Sequence, residues 1–165
     1  MSRLEAFIDR MVAQKRLLEH TARLIADVPG PVLELGLGNG RSFDHLREIL
    51  PGREIFAFDR SITAHPSCVP DGEHMIVGEI RETLKFCGPR VKRPAALVNI
   101  DLGTADETAE LAIVHWLSPL IEERVAPGGY VLSDLALDLP DFDLVAKPEG
   151  TEACQHQLFQ KRGMP

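Results

Sequence analysis

Glycine occupies every second position of a turn that joins an apolar run to a helical segment. The stretch LELGLGNGRSFDHL covers residues 33–46, with Gly36, Gly38 and Gly40 at its centre. A glycine-rich turn between a buried strand and a helix lets the backbone approach a ligand closely. This order of elements is typical of a parallel α/β sheet, in which ligands bind at the carboxyl ends of the strands.

The rest of the chain continues the alternation of short apolar runs and helical segments. This alternation predicts five parallel strands joined by right-handed crossovers. The runs are PVLELG, EIFAFD, HMIVG, AALVNID and GGYVLSDL. Two later runs, FDLVAK and CQHQLFQKR, are separated only by PEGTEA, which is too short for a helical crossover. We therefore predict a doubly wound, Rossmann-like α/β fold: a mostly parallel sheet of seven strands that ends in an antiparallel pair.

A long helix is predicted ahead of the sheet, from about Ser2 to Asp27. Ser2 and Glu5 form a capping-box pattern, and VPGP at residues 28–31 ends the helix. The helix carries an apolar stripe that Lys15 interrupts. Residues spaced by three or four form this stripe: Leu4, Ile8, Met11, Leu18, Ala22 and Ile25. The stripe predicts packing on the sheet, and it also suits a lid over a pocket or a dimer interface.

The helix after the fourth strand has its own boundary signals. TADETAELAIVHWL opens with a second capping-box pattern, from Thr104 to Glu107. Pro119 is expected to kink or end this helix, because proline lacks the N–H that a helix interior uses.

Length and charge limit the architecture and the partners. The 165 residues suit one domain, 1–165, with residues 1–28 as the N-terminal helix and residues 31–165 as the cofactor-binding core. A net charge of −7 argues against a nucleic-acid partner, because such binding depends on basic residues that neutralise phosphates. No apolar run approaches the roughly 20 residues of a membrane span, so no membrane association is expected.

Cysteine usage indicates a reducing compartment. The chain has an odd number of cysteines, which are widely spaced and form no C-x-x-C pair: Cys68, Cys87 and Cys154. The N-terminal segment carries acidic residues and has no signal-peptide pattern. We therefore expect a cytoplasmic protein without disulfides.

An acidic residue ends the second predicted strand, as nucleotide-binding sheets require. Asp59 follows the glycine turn by roughly the 20 residues at which an acid accepts ribose hydroxyl groups. A dinucleotide site would have the pattern G-x-G-x-x-G, but Arg41 stands at the third glycine position. Glu34 precedes the turn, and a carboxylate there favours a ligand with a cationic amine over one with only phosphates.

The turn resembles the first motif of class I S-adenosylmethionine-dependent methyltransferases, E/D-x-G-x-G-x-G, which reads ELGLGNG here. GEIRETL at residues 78–84 is similar to that family's third-strand motif, VNIDLG to its fourth and APGGYVLSD to its fifth. The resemblance extends over most of the chain after residue 30. It implies the same sheet, S-adenosylmethionine as cofactor, and methyl transfer as the reaction.

The resemblance also implies roles for individual residues. Glu34 would supply negative charge near the cofactor amine, the glycine turn would pack on the methionine and ribose, and Asp59 would accept the ribose hydroxyls. Glu79 would meet the adenine amino group, although it equally suits an acid at a helix N-terminus. Arg60 would stack on adenine or face solvent. The cofactor-binding candidates are Glu34, Gly36, Leu37, Gly38, Asn39, Gly40, Asp59, Arg60, Glu79, Ile80 (through its backbone) and Asp101.

Asp101 and Asp134 end the fourth and fifth strands and are the candidate catalytic residues. Metal-dependent catechol-type O-methyltransferases carry magnesium ligands at similar places. Their base lysine corresponds to Thr104 here, and their amide ligand corresponds to Leu135, so we expect no metal. Among the histidines, His65 is the better candidate to touch an acceptor.

The motifs of several methyltransferase subtypes are missing. The fourth strand ends NIDLG instead of N/D-P-P-Y/F, and no Pro-Cys follows it, which argues against DNA adenine and cytosine methylases. We predict methyl transfer to a small-molecule acceptor, and we predict a homodimer. The alternatives are an NAD-dependent oxidoreductase and a non-catalytic S-adenosylmethionine-binding module that acts through a partner.

Overall fold

The structure is a computed structural model that describes residues 1–164. Helices and strands alternate along the chain after a first long helix, with a 3₁₀ turn at Pro66–Cys68. In chain order the elements are α1 (Arg3–Leu24), β1 (Val32–Leu35), α2 (Arg41–Ile49), β2 (Ile55–Asp59), β3 (Met75–Val77), α3 (Ile80–Phe86), α4 (Gly88–Val91), β4 (Ala95–Ile100), α5 (Glu107–Arg124), β5 (Val125–Ser133), β6 (Phe142–Val145) and β7 (Gln157–Lys161).

All of these strands form one sheet with the order β3-β2-β1-β4-β5-β7-β6. Strands β1 to β5 are parallel, and β7 runs antiparallel to both β5 and β6. The predicted fold, including the antiparallel C-terminal pair, is confirmed. The strand order reverses between β1 and β4, and in such sheets the ligand crevice lies beyond the carboxyl ends of these two strands.

Two apolar clusters cover the two faces of the sheet. One contains buried side chains of α1 and α2, such as Leu17 and Leu46. The other contains buried side chains of α3, α4 and α5, such as Leu84 and Ile121. Helices on both faces explain why β1 and β4 are apolar runs with no exposed side.

Helix α1 confirms the capping box and corrects the predicted end and stripe. Ser2 Oγ accepts the Glu5 N–H, and the Glu5 carboxylate accepts the Ser2 N–H. The helix ends at Leu24, before the predicted Asp27. Only its second half packs as predicted, since Leu18, Ala22 and Ile25 are buried but Leu4 and Ile8 are exposed.

The boundaries of α5 and β5 also differ from the predictions. The N-cap of α5 is Asp106, whose Oδ1 accepts the N–H groups of Thr108 and Ala109, so the predicted capping box from Thr104 to Glu107 is wrong. Pro119 does not end α5, which continues to Arg124, because packing of this helix on the sheet outweighs one missing hydrogen bond. Strand β5 begins at Val125, before the glycine pair where the predicted strand starts.

Candidate functional site

The three alternate glycines of the turn serve two different structural purposes; we call residues 36–40 the glycine loop. Gly36 has φ +90°, and a Cβ there would lie 2.5 Å from the Asp101 carbonyl oxygen. Gly40 has φ +77°, and a Cβ there would lie 2.5 Å from the Cys68 carbonyl oxygen. Gly38 has φ +52° with nothing within 4 Å of its Cβ position. Gly36 and Gly40 therefore allow close packing of the protein on itself, whereas Gly38 faces open space that a ligand can use.

Asp59 holds the glycine loop from the end of β2. Its Oδ2 accepts the Gly38 N–H at 3.1 Å, and its Oδ1 accepts the Ser61 N–H at 3.4 Å. The side chain is half-buried at the carboxyl edge of the sheet. A carboxylate in this position keeps acceptor capacity for hydroxyl donors of a ligand.

Glu34 is completely buried beneath the glycine loop. It lies directly opposite Asn99 in the pairing of β1 with β4. The Asn99 Nδ2 group donates to both of its carboxyl oxygens, at 3.2 and 3.0 Å, and Ser42 Oγ donates to Oε1 at 2.5 Å. Burial raises the pKa of Glu34 to about 7, although these hydrogen bonds oppose the rise. A cavity opens beside the glycine loop; Ser42 lines this cavity, but Glu34 does not.

Arg60 and Glu79 face each other next to the ends of β2 and β3. Their side chains are 73% and 69% exposed, and a guanidinium nitrogen lies 3.8 Å from the Glu79 carboxylate. Glu79 is the N-cap residue of α3, yet its side chain makes no capping hydrogen bond. Both groups therefore have free capacity for a ligand, whereas the Ile80 side chain is buried in the core and offers only its backbone.

A cavity of about 640 Å³ opens beside the glycine loop. It brings together Leu37, Gly38 and Asn39 from the loop with the two predicted catalytic acids, Asp101 and Asp134. The first half of α1 and the segment 153–156 form the opposite wall. Lining residues of α1 are Ala6, Phe7, Arg10, Met11 and Gln14.

His65, the histidine that the sequence favoured, does not line this cavity. Its ring nitrogen Nδ1 accepts the Ser67 N–H at 3.2 Å and lies 2.7 Å from Ser67 Oγ, so His65 caps the 3₁₀ turn. The prediction overlooked that a histidine two residues before a serine can bond locally within a loop.

The two strand-end acids are close neighbours in the cavity. Asp134 Oδ1 accepts the Leu102 N–H at 3.1 Å, and its Oδ2 accepts the Gly103 N–H at 2.6 Å. Asp101 is exposed beside it. Burial, together with the charge of Asp101, raises the pKa of Asp134 to about 6 against the effect of these backbone donors.

The structure adds His156 and Cys154, which the sequence argument missed. His156 is only 8% exposed, and its Nδ1 lies 3.2 Å from Cys154 Sγ. Burial alone would raise the pKa of the Cys154 thiol, but the hydrogen bond and charge of His156 outweigh burial and lower it. The spacing Cys-x-His at the start of an extended run was the available signal, because alternate residues of a strand point to the same side.

The family model for S-adenosyl-L-methionine methyltransferases matches residues 1–161. An S-adenosyl-L-methionine methyltransferase from Silicibacter pomeroyi DSS-3 is 38% identical, with a TM-score of 0.86 over 98% of this chain and 99% of that chain. A comparison with curated proteins gives no match.

Two more distant structures show the fold alone. The O-methyltransferase TomG from Streptomyces achromogenes, involved in tomaymycin synthesis and solved in complex with S-adenosylmethionine, is 16% identical, with a TM-score of 0.65 over 92% of this chain and 80% of that chain. MNMC2 from Aquifex aeolicus is 19% identical, with a TM-score of 0.57 over 92% of this chain and 58% of that chain.

The sheet order and the glycine loop define a class I S-adenosylmethionine-dependent methyltransferase. Within this class, the chain belongs to the S-adenosyl-L-methionine methyltransferase family whose model spans nearly all of it. The protein is therefore an enzyme that uses S-adenosylmethionine as its cofactor, as the sequence motifs predict. Among residues 1–164, no helix is both long enough and apolar enough to cross a bilayer.

Proposed function

We propose that this methyltransferase acts on a small-molecule acceptor, which binds in the cavity between the glycine loop and the first half of α1. The single observation that carries the proposal is the cavity itself. Its volume of about 640 Å³ lies within the size range of small-ligand sites. It contains both strand-end acids as well as the space at Gly38 that we assign to the cofactor. Phe7 and Met11 provide apolar surface in the opposite wall, while Asp101 and Asp134 provide polar groups.

The residues predicted from the motifs have a consistent arrangement for the cofactor. The open space at Gly38 suits the methionine and ribose, and the half-buried Asp59 carboxylate suits the ribose hydroxyls. Arg60 and Glu79 lie farther along the same edge of the sheet, where they suit the adenine. Asp101, after β4, is the acid at the border between the cofactor and the acceptor.

When bound, the cofactor supplies an electrophilic methyl group on a sulfonium. The protein's part is alignment, because an in-line displacement gains most from holding the acceptor atom at the right place. A carboxylate of Asp101 or Asp134 can accept a proton from the acceptor where the acceptor must lose one. Glu34 is too deeply buried for direct contact with the cavity, so its influence on the cofactor amine would run through Ser42.

The charge distribution argues against RNA as the acceptor. The chain carries 25 acidic and 18 basic residues, and the cavity holds an acidic pair where a phosphate backbone would be repelled. Arg10 and Arg41 are the basic residues of the cavity wall, and both guanidinium groups lie over the Phe7 ring, 5.4 and 5.8 Å from its centroid.

We also propose a homodimer formed through the first half of α1. Leu4, Phe7, Ile8 and Val12 are large apolar residues on neighbouring turns of this helix, with exposures from 37% to 67%. A patch of this kind marks an interaction surface when it is contiguous.

We also propose that the protein is cytoplasmic. Cys68, Cys87 and Cys154 are all free cysteines, as expected in a reducing compartment.

The acceptor proposal is tested with purified protein and cofactor labelled at the methyl group. The protein is incubated in parallel with a small-metabolite extract and with total RNA from which small molecules have been removed. We expect label in acid-soluble products of the first mixture and background label in precipitated RNA. Label that enters RNA alone would refute the small-molecule acceptor. A Phe7→Trp variant, which narrows the cavity, should lower transfer more than Phe86→Trp, at an exposed position outside the cavity.

A further inference from the structure

Asp101, Asp134 and His156 converge from three separate elements of the chain. The two acids follow β4 and β5, and the histidine directly precedes β7. One donor atom from each residue lies within 4.8 Å of the other two. All three side chains line the cavity beside the glycine loop.

The backbone fixes Asp134 in this group. Each of its carboxylate oxygens accepts one backbone N–H, from Leu102 and from Gly103. Gly103 makes this approach possible, since a Cβ at residue 103 would lie 2.6 Å from Asp134 Oδ2. Hydrogen-bonded carboxylates with remaining lone pairs are the usual state of metal-binding acids.

His156 provides an independent sign of a missing partner. The residue is 8% exposed, and its Nε2 has no hydrogen-bond partner among the described residues. A buried ring nitrogen without a partner is costly, and native structures rarely leave one. Its other nitrogen, Nδ1, lies 3.2 Å from Cys154 Sγ. In the tautomer that carries the proton on Nδ1, this N–H donates to sulfur and the Nε2 lone pair is free for a ligand.

The acid pair also lacks a protein cation. Among residues 1–164, no lysine or arginine forms an ion pair with Asp101 or Asp134. Two carboxylates this close repel each other unless a cation or a proton lies between them.

We propose that Asp101, Asp134 and His156 form a binding site for one divalent transition-metal ion. Two carboxylates and one imidazole favour Mn²⁺ and similar first-row ions, whereas Mg²⁺ and Ca²⁺ prefer sites made only of oxygen. Thr104 and Leu135 depart from the magnesium site of catechol-type methyltransferases, but a nitrogen donor from the C-terminal segment is not part of that pattern. An ion here would face the cavity and could hold an oxygen atom of the acceptor.

This inference goes beyond the proposed function, because metal binding needs neither the cofactor nor the acceptor. The experiment titrates Mn²⁺ into the full chain after treatment with a chelator, and free Mn²⁺ is measured by electron paramagnetic resonance. We expect saturable binding of one ion per chain and binding of Mg²⁺ at least tenfold weaker. His156→Gln and Asp101→Asn should each weaken Mn²⁺ binding at least tenfold, and His65→Gln should leave it unchanged.

Asp101 is exposed, so Asp101→Asn keeps the test valid if His156→Gln fails to fold. Absence of saturable binding, or unchanged binding in the folded variants, would overturn the site. Equal affinity for Mn²⁺ and Mg²⁺ would also overturn it, because the imidazole would then contribute nothing. Heat stabilisation by S-adenosylhomocysteine in metal-free protein tests the cofactor site separately, so failure of the metal site leaves the methyltransferase assignment intact.

Discussion

The glycine loop and the segment 153–156 face the same cavity, but they hold their positions by different means. The loop is continuous in sequence and is shaped by backbone with positive φ at Gly36, Gly38 and Gly40. The opposite wall joins residues from both ends of the chain, and side chains such as Cys154 and His156 shape it. We therefore expect substitutions in the loop region to change folding or cofactor binding, and substitutions in the opposite wall to change acceptor binding.

The sharpest test within the loop compares Gly36→Ala with Gly38→Ala. At residue 36 an added Cβ meets a backbone carbonyl oxygen at 2.5 Å, and φ is +90°. Strain and overpacking together predict a loss of about 2–5 kcal/mol in the free energy of unfolding. At residue 38 the space is open, so we expect a loss of about 1–2 kcal/mol, with weakened cofactor binding as the main effect. Urea denaturation and calorimetry measure the two effects, and equal destabilisation by both variants would contradict this assignment.

Glu34 predicts a pH dependence of stability that comes from beneath the loop. Its pKa is about 7 in the folded protein and near 4.5 when unfolded, so the folded state binds more protons between these values. The free energy of unfolding should therefore fall as pH rises from about 4.5 to 7, by roughly 3 kcal/mol from this group alone.

Glu34→Gln should remove this slope, because a neutral amide keeps the hydrogen bonds of the protonated acid. With its Nε2 toward Ser42 Oγ, the new amide can donate to that hydroxyl, while its oxygen accepts from Asn99 Nδ2. Denaturation curves at several pH values measure the effect, and Glu79→Gln, at an exposed position, is the matched control. A slope that persists unchanged in Glu34→Gln would rule out Glu34 as its source.

Asp59→Ala should weaken cofactor binding while the sheet remains folded. Loss of one or two charge-assisted hydrogen bonds costs about 1.5–3 kcal/mol, or roughly 10- to 150-fold in affinity. Calorimetry with S-adenosylhomocysteine measures this loss of affinity. Asp27→Ala, an exposed acid before β1 at the opposite edge of the sheet, is the control and should bind normally. Normal binding by Asp59→Ala would remove this residue from the site.

Phe7→Ala should have the smallest effect on stability and a selective effect on the acceptor. The side chain is 37% exposed, so we expect a change below about 1 kcal/mol in unfolding. The KM for the acceptor should rise several-fold, with unchanged affinity for S-adenosylhomocysteine. Phe86→Ala, at an exposed position outside both the cavity and the proposed dimer surface, should leave both values unchanged. A weaker S-adenosylhomocysteine affinity in Phe7→Ala would place this wall at the cofactor instead.

The same division explains what the sequence could predict. The sheet and the loop follow from local patterns, because each strand, glycine and strand-end acid is recognisable from its immediate neighbours. The role of α1 was predicted only in part, since the stripe through Leu4 and Ile8 continues past the point where the helix leaves the core. His156 was not identified from the sequence as a site residue, because its proposed role depends on Asp101 and Asp134. Only the folded sheet brings these three residues together.

Strand β7 lies between β5 and β6 in the sheet and follows both of them in the sequence. During synthesis β6 emerges before β7, the strand with which it pairs. Strand β6 therefore stays unpaired until β7 has been synthesised. The edge of β5 is likewise open until β7 arrives. His156 leaves the ribosome just ahead of β7, so a nascent chain can assemble the glycine loop long before it can complete the cavity. Removal of His156 and β7 should therefore impair turnover more severely than cofactor binding.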